Sequence, residues 1–192
     1  MRGFTMLELL VVLMIVLIIA AIGIPAWMKM NRSYTLRNDT DKIANMINAS
    51  RMRGGATFSR VKVDCSSTDA TNCRGSSAAC TVTLIDYVVG SGTQTSTLDS
   101  PQQRVCLSPG ISLATPSSTY GVQTQYSSTP TLSTVLYFNS LGFPITSSGG
   151  TSPNYAMYLT DTTNGSFMAI GIAANGKPNE FILSGNTWLP RQ

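Results

Sequence analysis

From Leu9 to Met28 the chain runs through twenty residues without a single charge, LLVVLMIVLIIAAIGIPAWM. As a helix rising about 1.5 Å per residue, such a run spans the roughly 30 Å hydrocarbon core of a bilayer. A cleaved secretory signal would have a shorter apolar region, roughly 7–15 residues, followed by small residues. Here Pro25, Ala26 and bulky Trp27 close the run, so the pattern predicts a retained anchor. It is the one apolar stretch of that length, which excludes a multi-span membrane protein. The 192 residues leave room for one further domain.

Composition sharpens this division. Charged residues make up 11% of the chain, against about 25% in ordinary soluble domains. The mean hydropathy of +0.11 is carried almost wholly by the first 28 residues. Residues 29–62 hold eight cations (Lys29, Arg32, Arg37, Lys42, Arg51, Arg53, Arg60, Lys62) against Asp39 and Asp41. Beyond residue 62 four cations meet six acids, so the larger domain is slightly acidic and a poor nucleic-acid platform. The chain has no histidine, which removes Ser-His-Asp and Cys-His catalysis and every histidine-ligated metal site.

Glu8 stands just inside the apolar run, where an unpaired carboxylate costs several kcal/mol. No Lys or Arg follows it within the span, so its natural partner is an amine at the beginning of this chain or of a neighbouring copy. Gly3 directly precedes Phe4-Thr5-Met6-Leu7-Glu8, and a cut after Gly3 creates an α-amine four residues before the acid. Gly23 and Pro25 interrupt the apolar run, where proline removes a backbone donor and favours a kink or local melting.

The stretch Gly3-Phe4-Thr5-Met6-Leu7-Glu8-Leu9-Leu10 ahead of an apolar helix resembles the class III signal of type IV pilins and type II secretion pseudopilins. The resemblance implies a leader of residues 1–3, cleavage between Gly3 and Phe4 by a membrane-embedded prepilin peptidase, and N-methylation of Phe4. It implies that Glu8 neutralises the Phe4 amine of an adjacent subunit during assembly, and that Pro25 is the family's helix-breaking proline. Family leaders are usually longer than Met1-Arg2-Gly3, which points to a start upstream. Cations after the span, with only Arg2 before it, would by charge count leave the C-terminal part in the cytoplasm. The peptidase signal and the cysteines place it in the periplasm instead.

Residues 29–54 continue the helix with one apolar stripe, Leu36, Ile43 and Ile47 with Met46 beside them. Gly54-Gly55 marks its end, and Asn38-Asp39-Thr40-Asp41 offers a cap for a restart. From residue 55 to 192, β-branched and aromatic runs alternate with turns: Thr57–Val63, Thr81–Val89, Arg104–Leu107, Tyr120–Tyr126, Thr134–Phe138, Tyr155–Thr160, Phe167–Ala173 and Glu180–Leu183. Asn175-Gly176 signals a hairpin and Asn164-Gly165 a second turn. Ser66–Ala79, Gly90–Gln103 and Thr146–Pro153 read as long loops. The expected fold is α+β: a transmembrane, pilin-type helix packed on an antiparallel β-sandwich or bent sheet.

This layout resembles the GspH/FimT branch of minor pilins and pseudopilins, in which some members bind DNA through basic residues near the C-terminal hairpin. Here that stretch, Gly176-Lys177-Pro178-Asn179-Glu180, carries one lysine, and the tail adds only Arg191. The basic residues from Arg51 to Lys62 are read as a solvated face or subunit contact, with nucleic acid or anionic lipid as the alternative. Cys65, Cys73, Cys80 and Cys106 suit two disulfides in an oxidising compartment, with free buried thiols as the alternative. Their spacing contains no C-x-x-C knuckle for zinc. Three pairings are open; Cys65–Cys73, pinning the polar loop, with Cys80–Cys106, joining two strands, is the expected one.

No phosphate-binding loop, nucleophile elbow or carboxylate pair stands out, and Tyr120, Tyr126, Tyr137, Phe138 and Phe143 read as sheet packing. The expectation is a structural subunit without enzymatic activity, cofactor or metal. Its partners are other pilin or pseudopilin subunits, the prepilin peptidase and the bacterial inner membrane. The alternatives are a filament-tip module binding DNA or a surface ligand, and a single-span periplasmic domain unrelated to filaments.

Overall fold

A computed structural model describes residues 5–67, 73, 79–87, 94–98, 104–113, 131–150 and 154–191. Gly3, Phe4, the leader and the run Tyr120–Tyr126 lie outside the described residues. One helix, α1, runs from Met6 to Thr57. Thr5 caps its start, the side-chain hydroxyl accepting from the Glu8 N–H at 3.3 Å. Phe58 closes it in the left-handed conformation, with φ 53°.

Three sequence expectations for this helix are corrected. The backbone stays helical through Gly23 and Pro25, so neither breaks it in the single chain. Proline deletes one donor and displaces one carbonyl, and the turns on either side hold the rest of the ladder. There is no restart at residues 38–41, because those side chains are used elsewhere: the Asp39 carboxylate reaches Ser108, and Thr40 Oγ1 donates to the Leu36 carbonyl at 2.8 Å. Gly54-Gly55 does not end the helix, which runs on to Thr57. Gly54 is there for close packing, since a Cβ would meet Val61 Cγ2 at 3.0 Å and the Ser59 carbonyl at 3.3 Å.

The strands form two sheets, each with five strands in a continuous path and a sixth beside it. The first comprises β1 (Arg60–Ser67), β2 (Ala79–Tyr87), β3 (Gln94–Leu98), β4 (Arg104–Cys106), β7 (Val135–Phe138) and β8 (Pro144–Ile145). Its path is β3-β2-β1-β7-β8, with β4 also on β2. The second comprises β5 (Ile111–Leu113), β6 (Thr131–Leu132), β9 (Tyr155–Asp161), β10 (Ser166–Ile172), β11 (Pro178–Ser184) and β12 (Thr187–Pro190). Its path is β12-β11-β10-β9-β5. Every pairing is antiparallel except β6 on β9. The fold is α+β, a long apolar helix on antiparallel sheets, pilin-like in general shape.

Seven of the eight runs read as strands fall on β1, β2, β4, β7, β9, β10 and β11, and the eighth is undescribed. The stretch read as a loop at Gly90–Gln103 contains β3. Asn164-Gly165 turns β9 into β10, and Asn175-Gly176 turns β10 into β11 with Gly176 at φ +78°. Alternation along the strands builds the core. The predicted helix stripe, Leu36, Ile43, Met46 and Ile47, is buried. It meets Val61, Val63, Leu136 and Phe138 of the first sheet and Met157, Leu159, Met168 and Ile170 of the second in one cluster.

All four cysteines are paired, but not as expected: the bonds are Cys65–Cys80 and Cys73–Cys106. The register explains it. Val63 faces Val82 and Asp64 faces Thr81, which brings Cys65 level with Cys80 on the neighbouring strand. On the other side of β2, Cys106 stands opposite Ala79, one residue away from Cys80. Adjacent residues of a strand point to opposite faces, so Cys106 and Cys80 cannot meet. Cys106 therefore takes Cys73.

Candidate functional site

The strongest contrast on the surface lies within α1. From Thr5 to Met30 every residue is exposed except half-buried Ala20. Ile15 is 51% exposed and Trp27 71%. This segment is apolar on all sides, and a helix of that kind needs either lipid or other helices around it. It is long and apolar enough to cross a membrane. Glu8 sits in its first turn, where the partial positive charge of the helix N-terminus favours a carboxylate. Among the described residues no Lys or Arg reaches it. Gly3 and Phe4, its predicted partners in chemistry, are outside the described residues.

The domain grips the second half of α1 at two poles. Near the bare half of the helix, Arg32 Nη1 donates to the Pro109 carbonyl at 3.2 Å, in the β4–β5 turn. Two turns further, the fully buried Asp39 carboxylate accepts from the Ser108 N–H at 2.5 Å, from its hydroxyl at 3.1 Å, and from Lys42 Nζ at 2.9 Å. At the far end, Arg51 Nε donates to the Gly142 carbonyl at 3.1 Å and Nη2 to the Asn175 carbonyl at 3.0 Å. One guanidinium thus ties the helix to the β7–β8 loop and to the β10–β11 hairpin. Gly176 is required there, because a Cβ would fall 2.3 Å from the Gly142 carbonyl oxygen.

A third tie is electrostatic. The Arg191 guanidinium pairs with both carboxylate oxygens of Asp41 on the helix and with Glu180 Oε2, at 2.7 Å, on β11. Burial pushes the Glu180 carboxyl up to about 6, and the neighbouring Asp41 carboxylate adds to this, with Arg191 opposing. On β1, burial works against the Asp64 carboxylate, but hydrogen bonds from Lys62 and Ser66 hold it below the usual range. The hydrogen bond to Asp64 raises Lys62 in turn.

The cations from Arg51 to Lys62 have partners within the domain rather than standing free on a solvated face. Arg51 is held by two carbonyls, Arg60 donates to the carbonyl of Ser147 at 3.3 Å, and Lys62 pairs with Asp64 at 2.7 Å. These cations are consumed within the domain. Among the described residues there is no group of three side chains able to hold a metal ion.

Sequence reasoning found the apolar half of the helix but missed Asp39, Arg51 and the Arg191 tie. Asp39 carried a readable signal: it falls between Leu36 and Ile43, on the stripe itself, where an acid must find donors. Arg51 and Arg191 carried none, since their partners lie 91 and 150 positions away. Compared with known proteins, the chain matches no family model, no curated protein and no solved structure.

Proposed function

We propose that this chain is a structural subunit, a minor pilin or pseudopilin, of a type IV pilus or type II secretion pseudopilus. The observation that carries this reading is the division of α1: one continuous helix whose second half is locked into a folded domain while its first half is bare, apolar and led by Glu8, which has no ion-pair partner among the described residues. The bare half anchors the precursor in the bacterial inner membrane, with the β-rich domain in the periplasm. After cleavage at Gly3/Phe4 and methylation of Phe4, Glu8 receives the Phe4 amine of a neighbouring subunit, and the bare halves pack into the filament core. Outside lipid, an unpaired acid among apolar helices would be costly, so the ion pair sets the axial register of one subunit on the next.

The test is filament incorporation. Gly3→Val, which blocks cleavage, and Glu8→Ala, which removes the acid, abolish assembly and leave thermal unfolding of the domain unchanged. Normal incorporation of either variant overturns the reading.

A further inference from the structure

We infer that the membrane-facing pole of the domain is a docking surface for anionic phospholipid headgroups, held by Lys29, Arg32 and Arg37 beside the cavity that opens at the foot of the β-domain. This rests on the reading of residues 9–28 as a membrane anchor.

Position comes first. At about 1.5 Å per residue, Lys29 lies at the edge of the hydrocarbon and Arg32 about 5 Å above it, within a headgroup layer some 5–7 Å deep. Arg37 lies about 12 Å up, and its long side chain reaches back toward the phosphates as snorkelling cations do. Trp27 precedes this stretch and Tyr34 lies within it, 71% and 60% exposed, as interfacial aromatic anchors are.

Charge comes second. Among the described residues none of these three cations is ion-paired with an acid: Asp39 is taken by Ser108 and Lys42, Asp41 by Arg191, and Asp161 is buried, with Oδ1 accepting from the Thr163 N–H and Oδ2 without a hydrogen-bond partner. Arg32 uses one donor on the Pro109 carbonyl and keeps the others. Arg37 is exposed, and among the described residues it has no partner. This contrasts with the cations from Arg51 to Lys62, which the domain consumes.

Shape comes third. Between α1 and the β9–β10 and β11–β12 turns lies a cavity of about 260 Å³, lined by Ser33, Leu36, Arg37, Ser166, Phe167 and Ile182 among others. Arg37 and the two hydroxyls offer donors for a phosphate, and Leu36, Phe167 and Ile182 wall the seat on its apolar side. A helix surface with positive charge alone would attract the bilayer diffusely, whereas this pocket gives one headgroup a defined seat.

The experiment uses the full chain in vesicles of mixed phosphatidylglycerol and phosphatidylcholine, washed with carbonate, then extracted gently for native mass spectrometry. The expected result is retained phosphatidylglycerol enriched over its share of the vesicle. With each cation near an anionic surface worth roughly fivefold, the Lys29→Gln/Arg32→Gln/Arg37→Gln variant loses that enrichment, whereas Lys177→Gln, at the opposite pole, keeps it. Thermal unfolding confirms that the triple variant is folded. Lipid retained in the vesicle ratio, enrichment that survives the triple substitution, or complete displacement by inorganic phosphate each overturns the inference. A chain washed off by carbonate overturns the anchor reading beneath it.

Discussion

The two halves of α1 share a backbone and almost nothing else. From residue 36 to 54, one face carries Leu36, Ile43 and Ile47, and two sheets close over it. From residue 6 to 28 the apolar character is continuous around the axis, and nothing among the described residues covers it. The difference teaches that patterning selects the environment: a stripe finds a protein core, while an all-round apolar surface requires lipid or identical helices. Propensity alone would make breaks of Gly23, Pro25 and Gly54, yet the helix runs through all three.

Perturbing each half separately breaks the comparison most sharply. Ile15→Arg places a cation in the middle of the bare half and abolishes retention of the chain in carbonate-washed membranes, with the unfolding midpoint of the domain unchanged. Ile47→Ala does the reverse, costing about 2–5 kcal/mol of domain stability by leaving a cavity, with retention intact. Equal effects of the two substitutions on both readouts would erase the distinction.

Next in size is the Cys73–Cys106 bond, which closes a separation of 33 residues. Its removal in Cys73→Ser/Cys106→Ser lowers stability by about 3–4 kcal/mol in chemical denaturation. The same double change leaves Cys65–Cys80 intact in a thiol assay, whereas the pairing expected from sequence would leave two free thiols. At the far pole, Gly176→Ala meets both a positive φ of 78° and the Gly142 carbonyl, and destabilises by about 1–3 kcal/mol. That loss is smaller in an Arg51→Ala background, because the hairpin is then no longer drawn onto the helix.

The smallest effect is the pH dependence of the Arg191 tie. The Glu180 carboxyl lies at about 6, raised from its ordinary 4.5, so between these values the folded chain holds a proton that the unfolded chain releases. The resulting stabilisation is full below about pH 4.5 and is lost as pH rises through 6. After solvent screening it amounts to about 1 kcal/mol. A Glu180→Gln variant flattens that slope in thermal unfolding between these pH values, and an unchanged slope assigns the proton elsewhere.

What is legible in the sequence follows the range of the interactions. The apolar helix half, the stripe of Leu36, Ile43 and Ile47, seven of the strands, and the turns at Asn164-Gly165 and Asn175-Gly176 are local patterns, and all are present. β3 hides in a Ser/Thr-rich stretch because its place is set by backbone pairing at the edge of the sheet, against β2, and not by an apolar pattern in the sequence. The disulfides escape a local reading because pairing depends on register: a one-residue offset between Cys80 and Cys106 across β2 and β4 decides it, and no spacing along the chain records that offset. Asp39 looks like a cap among its neighbours in sequence, whereas Ser108, 69 positions away, decides its role. For the candidate site, Glu8 and the bare helix are readable, because both follow from an unbroken local run of residues.

The most direct test of the account is intact-mass and N-terminal peptide analysis of the protein extracted from its native membrane. The account predicts a chain beginning at N-methylated Phe4, with Glu8 as the fifth residue of the mature helix. A chain that retains Met1-Arg2-Gly3 would contradict it and reduce the bare half of α1 to an ordinary anchor.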